Sequence, residues 1–295
     1  SKPYVDIIGA GNRDDVVFRH PSVMILTGNS IIKNISIIGT GISFALVTDK
    51  CDNTTLDNVY ISGTAAALTT FSNPIAITLS KLTIKNSYIR GSIFASATVG
   101  TPSYRINECN FDNVIFNKRN LSSFFSACFV GNAIGYNQYN TFNNCTFEAL
   151  GTDLLFLSEG YSYDNTNLFK NCYISGEYMG YYEFPSSGFS PKMENCKIEG
   201  HFYSFQGEMK DCYISNQFGT HDESIPLQLN NYTNNPYPIF YNCTVVAKSS
   251  ATASVTGNAV NRSGLFSHCR FNKVVQTGIT GYFGEQYNIV NNNIR

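Results

Sequence analysis

The chain has 295 residues, of which 43% are hydrophobic and only 14% charged, with a net charge of −1 and no tryptophan. This balance excludes an intrinsically disordered polymer and leaves no basic footprint for nucleic acid or an anionic membrane. No apolar run reaches membrane-spanning length and Ser1 opens no signal peptide, so neither membrane nor nucleic acid is expected as a partner.

In chain order, Tyr4–Ile8 reads as a strand followed by G-A-G-N, and Asp14 and Asp15 read as a turn with Arg13. A phrase then recurs about every two dozen residues: apolar, any, Asn, small, any, apolar. It is I-K-N-I-S-I at Ile32–Ile37, L-D-N-V-Y-I at Leu56–Ile61 and I-K-N-S-Y-I at Ile84–Ile89. I-N-E-C-N-F follows at Ile106–Phe111, then F-N-N-C-T-F at Phe142–Phe147, F-K-N-C-Y-I at Phe169–Ile174 and M-E-N-C-K-I at Met193–Ile198. M-K-D-C-Y-I at Met209–Ile214, F-Y-N-C-T-V at Phe240–Val245, F-S-H-C-R-F at Phe266–Phe271 and I-V-N-N-N-I at Ile289–Ile294 complete the set. A fixed period of this size without helical patterning predicts a solenoid whose coils bury their inner faces against one another.

The phrase has period two with one interruption. Phe169, Cys172 and Ile174 all face inward only if the chain turns at Asn171, and Asn tolerates the left-handed backbone such a corner needs. Beyond it, alternation predicts Cys172 in, Tyr173 out, Ile174 in and Ser175 out, with Gly176 making the next bend. Asn side chains at equivalent corners are expected to stack as an amide ladder. The slot after the corner holds Ile35, Val59, Ser87 and then Cys109, Cys145, Cys172, Cys196, Cys212, Cys243 and Cys269. Nine cysteines, odd in number, with no C-x-x-C and seven in one inward slot, predict small buried thiols, not disulfides or metal ligands, in a chain folded in a reducing compartment. The Asn-x-Ser/Thr sequons at Asn144 and Asn242 lie on the corner phrase and are explained by it.

The expected architecture is all-β: a single-stranded right-handed parallel β-helix of about eleven coils forming one domain over 1–295. Neither end carries a polar cap, so the chain is expected to be a segment of a longer protein or a member of an assembly. Two stretches break the spacing: one between Cys109 and Cys145, including Asn120–Gly131, and one between Cys212 and Cys243, including Gly219–Leu229. In a solenoid such insertions are expected as loops on one side.

The coil phrase, the opening V-D-I-I-G-A-G-N and S-I-I-K-N-I-S-I-I-G together resemble the right-handed parallel β-helix of the pectin-lyase-like superfamily. Between Asn144 and Ile198 the chain is most similar to the pectin methylesterase branch. N-C-T-F-E with T-D-L-L-F resembles that family's N-C-x-F-x-G-Y-Q-D-T-L-Y, and F-K-N-C-Y-I-S-G-E-Y-M-G-Y-Y resembles its F-R-N-C-Y-I-E-G-T-V-D-F-I-F-G. The resemblance puts the family's general acid on Asp153, its oxyanion-hole glutamine on Thr152 and its nucleophilic aspartate on Met179, and its G-R-P-W has no counterpart. A thioether cannot attack an ester, so methylesterase chemistry is excluded and no catalytic residue is assigned. The superfamily's hydrolase strings N-T-D, D-D, G-H-G and R-I-K are absent as a set. His221-Asp222-Glu223 is read as a solvated loop, not a calcium or sugar site, and no metal or cofactor is expected.

Alternation beyond the glycine bends predicts two outward rows, Glu177–His201–Gln217 and Asp153–Met179–Tyr203, with Tyr181 beside them. Tyr161, Tyr163, Tyr178, Tyr182, Phe184, Phe202 and Phe205 crowd the same stretch. Aromatic faces with carboxylate and amide groups suit sugar rings, so Asp153, Glu177, Met179, Tyr181, His201, Tyr203 and Gln217 are the expected glycan-binding residues. The chain is most similar in look to bacteriophage tail-spike and tail-fibre shafts. That resemblance implies a virion component folded in the host cytoplasm, with a cell-surface glycan and other virion subunits as partners and a homotrimer as the analogous assembly. The rival expectations are a polysaccharide lyase or hydrolase and a secreted, extracellular bacterial surface protein.

Overall fold

A computed structural model describes residues 6–20, 24–39, 44–50, 53–70, 78–95, 105–117, 127–131, 139–148, 154–158, 167–179, 191–205, 207–216, 226–229, 238–257, 265–273, 275–276 and 288–289. Apart from one 3-10 turn at Arg13–Asp15, closed by an Arg13–Asp14 ion pair of 3.0 Å, the described secondary structure is strand. All strand pairings among the described residues are parallel, and those flanking the asparagine corner run in register from coil to coil, so the chain is a parallel β-helix.

Each coil turns at its asparagine. The strand before the corner stacks along Ile32, Leu56, Ile84, Phe111, Phe142, Phe169, Met193, Met209, Phe240 and Phe266. The strand after it stacks along Phe18, Ile37, Ile61, Ile89, Phe116, Phe147, Ile174, Ile198, Ile214, Val245, Phe271 and Ile289. Phe18, at one end, is exposed, and the side chains from Ile32 to Phe266 in the first column and from Ile37 to Phe271 in the second are all buried. A third sheet follows the next bend and includes Phe44–Lys50, Ala127–Gly131, Leu154–Ser158, Leu227–Leu229 and Val255–Gly257.

The corners are left-handed as the phrase demands. Asn34, Asn58, Asn86, Asn113, Asn144, Asn171, Asn195, Asp211, Asn242 and His268 have φ between 51° and 58°. The side-chain ladder forms in part: Asn58 donates to Asn34 at 3.0 Å, Asn113 to Asn86 at 3.0 Å and Asn195 to Asn171 at 2.8 Å. Elsewhere the amide reaches one residue aside, Asn86 to Asp57, Asn144 to Asp112 and Asn171 to Asn143. Gly9 occupies the first corner, where any Cβ would collide with the Asn34 carbonyl.

Three expectations need correction. The coil at I-N-E-C-N-F is out of register: its corner is Asn113, and its phrase is Phe111–Phe116, because Phe111 pairs with Ile84 and Val114 with Ser87. Cys109 therefore leaves the thiol slot. It sits behind left-handed Glu108, at a second corner that also bends at Asn29, Asn53, Lys81 and Tyr139. Six thiols remain in one column: Cys145, Cys172, Cys196, Cys212, Cys243 and Cys269, buried and free. The two irregular stretches are not simply loops either. Ala127–Gly131 pairs with Ile93–Ala95 and Leu154–Ser158, and Leu227–Leu229 pairs with Phe202, Phe205 and Val255–Gly257, so each returns a strand to the third sheet.

Within the column each thiol donates to the carbonyl two residues back, at 3.3 Å for Cys172 to Lys170, and reaches a carbonyl of the coil before, at 3.4 Å for Cys172 to Phe142. Hydrogen bonding to Cys145 and Cys196, with burial, pushes the Cys172 thiol far above the ordinary range, and Cys212 and Cys269 are pushed up by their own thiol neighbours and burial.

Candidate functional site

The third sheet is where glycan contacts are expected from sequence, and its register forms neither expected row. Tyr178 pairs with His201 and Met179 with Phe202, a bulge between Ser175 and Tyr178 having displaced the two strands by one residue. Leu154 pairs with Tyr178. His201, expected outward, is buried at 5% exposure within the strand Lys197–Phe205, which runs through Gly200 without a break. Asp153, Tyr181 and Gln217 lie outside the described residues, as do the side chains of Glu177, Met179 and Tyr203 and the loop at His221-Asp222-Glu223.

The best-defined lateral surface is the outer side of the strand after the corner. Parallel pairing stacks Ser36, Tyr60, Tyr88, Ile115, Thr146, Tyr173, Lys197, Tyr213, Thr244 and Arg270 in one outward column. Two residues on, Ser62, Arg90, Asn117, Glu148, Ser175 and Glu199 stack in a second. Alternation alone makes these columns, since their neighbours Ile61, Ile89, Phe116, Phe147, Ile174 and Ile198 fill the core.

Two clusters stand on this face. Tyr60 and Tyr88 stack with centroids 5.5 Å apart and planes 23° apart, beside exposed Arg90. Three rungs beyond Tyr88, the Tyr173 hydroxyl donates to Glu199 at 2.7 Å, and Lys197 reaches the other carboxylate oxygen at 2.8 Å while lying 5.3 Å above the Tyr173 ring. Between them Asn117 donates to Glu148 at 2.7 Å.

Burial opposes the charge on Glu199, but hydrogen bonds from Lys197 and Tyr173 outweigh it and hold the carboxyl below the ordinary glutamate range. Burial and the bond to Glu199 push the Tyr173 phenol up. Glu199 is thus a fixed acceptor for hydroxyl groups and is unsuited to donate a proton near neutral pH. By contrast, the face before the corner is laced with ion pairs, Lys33–Asp57 at 3.3 Å, Lys85–Asp57 at 3.6 Å, Lys170–Glu194 at 3.7 Å and Lys192–Glu208 at 3.6 Å.

These tyrosine and glutamate columns are not among the residues expected from sequence although the signal is present: Tyr173 falls outward by simple alternation, and the same alternation applied to each coil aligns Tyr60, Tyr88 and Tyr213 with it. Among the described residues no group of three or more His, Cys, Asp or Glu side chains is placed to hold a metal ion, and no helix is long and apolar enough to cross a membrane.

The architecture is a right-handed parallel β-helix. The chain is similar to the A-module of the mannuronan C-5 epimerase AlgE4 from Azotobacter vinelandii, with a TM-score of 0.53 and 12% identity over 97% of this chain and 82% of that one. At this identity the likeness is one of fold. No protein-family model and no curated protein sequence matches.

Proposed function

We propose that this β-helix binds polysaccharide on a lateral face and does so without obligatory catalysis, as a host-surface recognition or structural component of a virion of the tail-spike or tail-fibre kind. The observation that carries the binding reading is the outward arrangement of stacked tyrosines with hydrogen-bonded carboxylates, which offers sugar rings both an apolar platform and fixed polar partners. The fold it shares with a module named for acting on mannuronan supports the same ligand class. The virion role rests on the resemblance of the coil phrase to tail shafts and on buried free thiols, which suit folding in a reducing cytoplasm.

A glycan array with a cell-binding assay, run beside a search for particle-attachment sequence in the full gene, tests this. Binding to bacterial surface glycans is the expected result, and a gene encoding a secreted surface protein would remove the virion role.

A second reading, a polysaccharide-modifying enzyme, is favoured by one geometric fact. Glu148 and Glu199 lie two rungs apart on the same column, a backbone separation of roughly 9–10 Å, comparable with the span of an inverting carboxylate pair in which Glu199, held ionised, would be the base. Incubation with each bound glycan, followed by assay for new reducing ends and for unsaturated products, separates the two. Turnover lost in Glu199→Gln would establish the enzyme.

A further inference from the structure

Resting on the glycan-binding reading, we infer where the polysaccharide lies and what its charge is: an extended, uncharged glycan runs along the solenoid axis on the face after the corner, one sugar unit to each rung. Successive rungs are about 4.8 Å apart, close to the length one pyranose adds to an extended chain, so a glycan laid along the axis meets equivalent positions at each step. Tyr60, Tyr88, Ile115, Thr146, Tyr173, Lys197 and Tyr213 mark these steps in strict register, giving seven levels.

The chemistry along them is that of a sugar track. The Tyr60–Tyr88 pair supplies a stacking surface at one end, and Ile115 and Tyr213, 39% and 37% exposed, offer apolar area for C–H faces. Glu148 and Glu199 supply acceptors whose orientation is already fixed by Asn117, Tyr173 and Lys197, so little ordering entropy is lost on binding. Charge decides the ligand class. Between Tyr60 and Tyr213 the two columns carry Arg90 and Lys197 against Glu148 and Glu199, and Lys197 is already engaged by Glu199. The balance leaves no net field to favour a polyanion.

The test is calorimetric titration of the whole protein with length series of uncharged oligosaccharides (β-glucan, mannan and galactan) and of anionic mannuronan oligomers, at low and high salt. Affinity for an uncharged series is expected to rise with length and level off at about seven units, the number of rungs, with little salt dependence. Tyr88→Ala is expected to weaken binding about tenfold. Tyr173→Phe, which strips one fixed donor from Glu199, is expected to weaken it less, and both variants should melt with the wild type. A preference for mannuronan that fades with salt overturns the charge assignment. Unchanged affinity in both variants, with loss in Tyr203→Ala, moves the glycan to the third sheet and leaves the general binding reading standing. A shift in oligomeric state on Tyr88→Ala, with sugar binding intact, assigns the face to a second copy of the chain. No binding to any glycan removes both readings.

Discussion

At the scale of single residues the corner asparagine carries most of the fold's information. Its left-handed φ and its side-chain amide act separately, and substitution can divide them. At Asn171, φ is 53° and the side-chain oxygen accepts from Asn195 at 2.8 Å. Asn171→Gly keeps the backbone and loses the amide, an expected cost of about 1 kcal/mol. Asn171→Ala keeps the Cβ in the left-handed region but loses the local polar contacts by which asparagine offsets it, raising the cost to about 2–3 kcal/mol. Denaturant melts of the pair decide it: an alanine variant no weaker than the glycine variant would show that the corner does not select for backbone conformation.

Asp57 gives a pH prediction at the same scale. Burial works against its ionisation, but the Asn86 amide, Lys33 and Lys85 outweigh burial and hold its pKa below the ordinary aspartate range. A depressed folded pKa means that the stabilisation is complete above the unfolded value and fades as pH falls through the folded one, so this site contributes to acid unfolding below about pH 4. Its lysine partners are nearly half exposed, 44% and 43%, so solvent screening limits the contribution to about 1 kcal/mol. Asp57→Asn should flatten the acid limb of a stability–pH curve by that amount, and an unchanged limb would show that Asp57 takes no part in it. Corner residues were legible in the sequence because so few side chains accept a left-handed backbone. Cys109 was not, since a left-handed Glu108 gives no comparable compositional signal.

At the scale of the strand, stability resides in columns of like side chains. Phe111, Phe142 and Phe169 stack with centroids 4.7 and 4.5 Å apart and nearly parallel planes, each ring lying flat on the ring of the next coil. Phe142→Ala should therefore cost about 3–5 kcal/mol and Ile174→Ala about 2–5 kcal/mol, each leaving a gap that neighbouring rungs cannot close. Tyr173→Ser, on the outer side, should cost far less. Equal destabilisation in thermal melts would show that inward and outward faces are wrongly assigned. Apart from the coil at Ile106–Phe111, where a second left-handed corner at Glu108 imitates the phrase, these two strands were readable because a period-two pattern with a fixed corner admits one register. The third sheet was not: the bulge near Ser175 and the burial of His201 break the alternation on which its two rows depended. Strands as short as Leu227–Leu229, embedded in a long insertion, also carry too little periodic signal to be separated from loop.

At the scale of the whole molecule, seven described cysteines lie 1–3% exposed along the interior. A thiol reagent should label these only after denaturation, and denaturation without reductant should expose all nine cysteines of the chain. Rapid native labelling at Cys172 or Cys196 would mean that the coils open far more readily than their packing allows.

The column arrangement also bears on how such a molecule changes length. Because Phe169, Asn171 and Ile174 stand directly beneath Met193, Asn195 and Ile198, a whole turn can be duplicated or excised while each inward side chain and each corner still finds its own kind above and below. An insertion within either of the two regular strands shears every column at once, whereas the stretch between one coil and the next varies, successive corners lying from 16 residues apart (Asn195 to Asp211) to 31 (Asp211 to Asn242) with the columns intact. Rungs are thereby gained or lost as complete turns while the connecting stretches change length freely, and a lineage built this way can extend or shorten its lateral surface in steps of one rung without redesigning its interior.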